Sequence, residues 1–155
     1  MPVDPRVTTR GDHTLDITAQ GRYKIGLPAD LAYHVIGTEE NMIIKKLTDA
    51  PVMPMPDHGD ISKQIVIGPD DGSTEIVLRY FKVPAGGSSP YHHHGFPHLV
   101  KVESGEGAAV DPGGNEHPIG PGDYVYVNDN ETHCFKNTGR EFLEFICIVP
   151  ARGEG

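Results

Sequence analysis

From residue 61 onward, apolar and polar positions alternate in short runs, each closed by Gly, Pro, Asn or Asp. Such alternation predicts strands with one buried face, and the punctuating residues predict tight turns. The runs are Gln64 to Ile67, Glu75 to Val83, His98 to Glu103, Ala108 to Val110, Tyr124 to Val127, His133 to Lys136 and Phe142 to Val149. GPDDG, GEG, DPGGNE, PGD at 121–123 and NDNET supply turns between them. Pro84 to Pro90 reads as a loop, and Tyr91 to His94 as a short extended piece. About eight short strands in this rhythm predict an all-β fold, a closed or sandwiched antiparallel barrel.

Residues 1–60 lack this rhythm and are expected to form an irregular arm. Ile17 to Ile25 and Leu31 to Ile36 fit short strands or extended arms. Glu39 to Leu47 fits a short helix, acidic at its start and basic at its end, or a strand. Residues 51–60 contain three prolines and are expected to be a loop. The organisation expected is thus an arm over 1–60 and a barrel over 61–155, with no internal repeat.

Charge narrows the function classes. The net charge is −9 with histidine neutral, so the basic footprint that nucleic acid or an anionic membrane requires is missing. No apolar run reaches the ~18 residues needed to span a bilayer. The opening MPVDPRVTTRGDHTLD lacks a signal-peptide core, which predicts a cytoplasmic protein. The two cysteines, Cys134 and Cys147, lie in apolar strand-like runs and are expected to be buried small hydrophobes rather than a disulfide.

Histidine changes the picture most. There are nine, and His92, His93, His94 and His98 crowd together, with His133 at the start of a later strand. On a strand, positions i and i+2 share a face, so the rings of His92 and His94 converge while His93 points away. Gly95-Phe96-Pro97 should turn the chain and return His98 to the same point. These histidines form a candidate site for one divalent metal; solvated loop histidines are the alternative that spacing alone leaves open.

The spacing resembles the two motifs of the cupin superfamily. Gly86, five residues, His92-His93-His94, three residues, His98, six residues and Gly105 follow the first, except that most members carry Glu where His98 stands. Gly122, His133 and Asn137 follow the second, with Asn128 and Asn130 in place of its internal Pro and Gly. Asn tolerates positive φ, so Asn130 is a mild departure. The motifs span residues 86–137, about a third of the chain. The resemblance implies a double-stranded β-helix (jelly-roll) barrel with the metal inside. It also implies a homodimer in which N-terminal strands are exchanged, a role for residues 1–60.

The ligand set implied is His92, His94, His98 and His133. Replacing the carboxylate by imidazole leaves an M²⁺ ion its full charge, which favours an anionic ligand or substrate. It also removes a possible acid–base group. Four imidazoles suit Fe, Mn, Ni, Cu or Zn, and disfavour Mg and Ca. A three-histidine face of His92, His94 and His133, with His98 held back, is the alternative. Either leaves coordination positions open for a small-molecule substrate. The expected function is therefore a metal-dependent enzyme acting on a small anionic or enolisable molecule, most simply an iron dioxygenase. A non-redox isomerase or lyase and a non-catalytic binding protein are the alternatives. Phe96, Cys147 and His58 are the further pocket candidates, His58 as a cap on the proline-rich loop. Tyr80, Phe81, Phe96, Tyr124, Tyr126, Phe135, Phe142 and Phe145 are expected in the barrel walls. Asp123 is expected to brace its turn, and His13, His34 and His117 to lie at the surface.

Overall fold

The computed structural model describes residues 15–17, 23–25, 42–55, 58 and 60–154. Two short strands, β1 (Leu15–Ile17) and β2 (Tyr23–Ile25), pair antiparallel with Leu15 opposite Ile25. Leu31 to Ile36, His13 and His34 lie outside the described residues, and so does most of the arm expected to exchange between copies.

The strand-rich part carries β3 (Met53–Met55), β4 (Ile61–Ile67), β5 (Ile76–Val83), β6 (His98–Ser104), β7 (Gly107–Val110), β8 (Glu116–Ile119), β9 (Tyr124–Val127), β10 (Cys134–Asn137) and β11 (Leu143–Pro150). They form a six-stranded sheet in the order β3-β4-β5-β11-β6-β9 and a three-stranded sheet β10-β7-β8, with every pairing antiparallel.

Alternation builds the core. On β11, Leu143, Phe145, Cys147 and Val149 are buried while their neighbours are half-buried. Val77 and Val83 of β5, and Val100 and Val102 of β6, join them in one cluster with Ile61, Val127 and Phe135. Both cysteines are buried and free, as their apolar runs predict.

Three local expectations need correction. Met53–Met55 is a strand inside the expected loop; Pro54 is tolerated because β3 is the outermost strand of its sheet. Glu116–Ile119 is a strand that the DPGGNE hairpin hid, pairing with β7 from Val110↔Glu116 to Gly107↔Ile119. Residues 42–46 form no helix, and only Leu47–Asp49 makes a single 3₁₀ turn. A segment this short, with Met42 and Ile44 left exposed, has no packed face to stabilise a helix. The aromatic walls are corrected too. Tyr124 (76% exposed), Tyr126 (58%) and Phe142 (47%) face outward. In Tyr-Val-Tyr-Val the valines took the inner parity, and a pattern of period two leaves that choice to pairing register.

The motif glycines have backbone reasons. Gly86, Gly105 and Gly122 all take positive φ, as does Asn130 at φ 61°. Gly105 is also crowded: a Cβ there would lie 2.2 Å from the Phe142 carbonyl oxygen. Gly114, with φ 78°, has nothing within 4 Å of such a Cβ. Asp123 accepts a hydrogen bond from the Gly120 N–H at 2.8 Å, bracing its turn.

These two glycines separate strain from collision. Gly114→Ala should cost about 1–2 kcal/mol, the left-handed penalty alone. Gly105→Ala should cost more than about 3 kcal/mol, because the β6–β11 contact must also move. Urea denaturation of both variants checks this; equal midpoints would refute the crowding account.

Candidate metal centre

Two backbone hydrogen bonds set the site. The His92 N–H donates to the His133 carbonyl at 3.1 Å, and the His133 N–H donates to the His92 carbonyl at 2.9 Å. The segment before His92 runs along β10, where the Ser89 N–H meets the Phe135 carbonyl at 3.0 Å. The Phe135 N–H returns a bond to Ser89 Oγ at 2.9 Å. The Asn130 N–H holds the His94 carbonyl at 2.7 Å, so the positive-φ turn before β10 also fixes the His94 loop. Asn137, which closes the second motif, is buried and donates to the carbonyls of Val83 and Glu141 at 2.8 and 2.7 Å.

The rings follow. His92, His94 and His133 bring one nitrogen each within 4.8 Å of one another. Their ring centroids form a near-equilateral triangle of 5.2, 5.1 and 5.1 Å. In each, Nδ1 is engaged by a backbone carbonyl: Pro90 at 2.8 Å for His92, Phe96 at 2.9 Å for His94, and Glu131 at 2.8 Å for His133. A carbonyl only accepts, so each Nδ1 carries the proton and each Nε2 presents a lone pair. That is the tautomer a metal requires, fixed by the outer bond that metal-binding histidines characteristically make. The Nε2 of His94 is buried without a hydrogen-bond partner among the described residues. Burial holds the His94 and His133 rings below the usual histidine pKa, so the lone pairs stay free. Three such donors fit a transition-metal ion of the Fe, Mn, Ni, Cu or Zn kind.

His98 stands beside this triangle rather than in it. It opens β6 on the inner face, 7% exposed. Its ring stacks on His94 with centroids 4.3 Å apart and meets His133 edge-on at 5.0 Å. Neither of its nitrogens has a hydrogen-bond partner among the described residues. Burial, then the positive charge of Arg79, pushes its pKa down to about 3, so it is neutral at ordinary pH.

A cavity of about 230 Å³ adjoins the histidines. Its walls include Phe81, Phe96, Phe135 and Phe145, and Cys147 also lines it. Phe96 stacks on His94 at 3.8 Å. His58 is half-buried and is not among the described residues lining the cavity. His93 is exposed. His117 is exposed and bonded to Asp111 at 2.9 Å, a surface role.

Sequence reasoning missed Arg79, which also lines the cavity. The signal was present: Arg79 shares the strand parity of Val77, Phe81 and Val83, so its charge had to point inward.

Comparison with known proteins agrees with this geometry. The sequence profile of the Cupin domain family matches residues 79–149. The oxalate-binding protein of Thermotoga maritima is 35% identical over 69 residues, 44% of this chain and 56% of that protein. The chain thus matches little more than half the length of this curated relative. Among solved structures, the polyketide cyclase RemF from Streptomyces resistomycificus superposes with TM-score 0.66 at 26% identity, covering 72% of this chain and 80% of that one. A cupin 2 conserved barrel domain protein from Rhodopseudomonas palustris gives TM-score 0.59 at 29% identity, over 66% and 72% of the two chains. A protein from Thermotoga maritima described as a predicted oxalate decarboxylase gives TM-score 0.63 at 21% identity, over 70% and 98%, a likeness of fold. Barrel, histidine triangle and profile agree: residues 79–149 carry a domain of the cupin superfamily.

Proposed function

We propose that this chain is a metal-dependent enzyme acting on a small anionic or enolisable organic molecule. The observation that carries the reading is the set of three carbonyl-locked histidines, whose Nε2 lone pairs meet at the wall of a cavity of about 230 Å³. At roughly 30 Å³ per water, that volume suits a small molecule rather than a polymer. A bound divalent ion would act as a Lewis acid, polarising a carbonyl or carboxylate oxygen. His92, His94 and His133 would hold it, with His98 as the fourth ligand. An all-imidazole set adds no negative charge, so the ion would keep its pull on an anion.

The chain's own residues do the rest. The four phenylalanines exclude water and strengthen every charge interaction inside. Among the described residues lining the cavity there is no Asp or Glu, so the side chains left to carry a proton are Lys63, Cys147 and Ser89. The names of two relatives support the substrate class: oxalate is a small dianion, and polyketides are enolisable. These favour a non-redox reaction, an isomerase- or lyase-type step. The iron dioxygenase is the second reading, favoured by the phenylalanine walls, which suit apolar O₂.

Two measurements test this. Protein purified without a tag should carry a stoichiometric Fe, Mn, Ni, Cu or Zn ion by elemental analysis, and His94→Ala should lose it. His98→Ala should lose it equally; full occupancy in that variant would establish the three-histidine site instead. Retention of the ion by both variants would refute the metal centre. Separately, the zinc- or manganese-loaded protein should turn over a β-diketone or an oxo acid under argon. O₂ uptake confined to the iron form would select the dioxygenase.

A further inference from the structure

The cavity that the histidines line also carries a positive charge, that of Arg79. Arg79 sits on β5 between β4 and β11, opposite Ile65 on one side and Cys147 on the other. It is 8% exposed, yet its guanidinium is poorly satisfied. Nη1 reaches Glu154 Oε2 at 3.3 Å, longer than the usual 2.7–2.9 Å of a charge-assisted bond. Nη2 donates to Cys147 Sγ at 3.0 Å, and a thiol sulfur is a weak acceptor. Nε is buried with no hydrogen-bond partner among the described residues. The Phe81 ring lies 5.4 Å from the guanidinium carbon, supporting the cation without satisfying a donor.

Charge makes the same point. Lys63 also lines the cavity, and its Nζ bonds the other oxygen of Glu154. Two cations therefore share one carboxylate. A guanidinium kept for structure alone would take that carboxylate through both arms of its fork. Here Glu154 is divided between two partners, and a buried donor is left over. Burying an unpaired donor is costly unless a ligand completes it.

The geometry points to Arg79 as the anion-binding residue of this cavity, taking the carboxylate of a substrate whose second oxygen reaches the histidine triangle. The substrate class is then two-headed: an oxo acid or a small dicarboxylate rather than a neutral diketone. Glu154 is the internal counter-anion that Arg79 keeps while no substrate is bound. This deepens the proposed function and rests on it for the second contact, not for the first.

The test titrates oxalate and formate into the metal-free and the zinc-loaded protein, following the Arg79 Nε–H signal by ¹⁵N NMR and binding by calorimetry. In wild type the Nε–H signal should shift with either anion. Arg79→Gln should weaken oxalate about tenfold or more while zinc content is unchanged. Glu154→Gln should act in the opposite direction and tighten oxalate, because it releases the guanidinium; a merely structural ion pair predicts no gain. Should Arg79→Gln fail to fold, Arg79→Lys and Glu154→Gln decide the matter. Unchanged oxalate affinity in the Arg79 variants, or no anion binding by wild type in either form, overturns the proposal. Oxalate held through Arg79 by a protein that takes up none of Fe, Mn, Ni, Cu or Zn would refute the metal centre and leave the anion site standing.

Discussion

The reciprocal pair of backbone hydrogen bonds between His92 and His133 is the constraint on which the site depends. It joins residues about forty positions apart and puts their side chains at neighbouring places on one surface. Around it, each remaining freedom is removed by a short polar contact. Asn130 holds the His94 carbonyl, and Ser89 bridges to Phe135 in both directions. Three carbonyls then fix three tautomers. Imidazole position is set by backbone, and imidazole chemistry is set by the outer hydrogen bond; neither needs a carboxylate. That explains how the site does without the family's usual Glu: the ring orientations are already determined before a fourth group is considered.

His98 inherits the position of the missing acid but not its chemistry. An ionised carboxylate there would have been drawn toward Arg79, and would have cancelled the charge that the cavity otherwise shows. A neutral ring at that position leaves Arg79, among the described residues, hydrogen-bonded to a shared Glu154 and a thiol. The substitution thus acts on two places at once. It leaves the metal face more cationic, and it leaves Arg79 without a carboxylate from that position.

Much of this was legible in the chain. Asn130, read as a mild replacement for a motif glycine, takes positive φ, as Gly86, Gly105 and Gly122 also do. The histidine triangle followed from spacing and resemblance. What stayed hidden had physical reasons. Strand β3 carries a proline, which reads as a loop until its outermost place in the sheet is known. Tyr124 and Tyr126 alternate with valines, and parity alone does not say which set faces in. Whether His98 binds with the others depends on differences of an ångström or two in ring placement, below anything a spacing pattern resolves. Arg79 was legible in principle, since its neighbours at i−2, i+2 and i+4 are Val77, Phe81 and Val83. A charge on that parity had to be buried.

The acidic surface sharpens the case for a local anion trap. At −9 overall, the chain offers no long-range attraction to a carboxylate. Salt screens that repulsion beyond about 8–10 Å in physiological solution, so it governs approach weakly. Inside the cavity the balance reverses, because phenylalanine walls lower the dielectric and the near charges are Arg79, Lys63 and any ion on the histidines. Selectivity must then come from geometry at short range. A molecule with one anionic head satisfies one pole and leaves the other unpaired. A molecule with two oxygen heads satisfies both, and each contact strengthens as the other excludes water. The cavity therefore discriminates by the number and spacing of oxygens on its ligand more than by net charge.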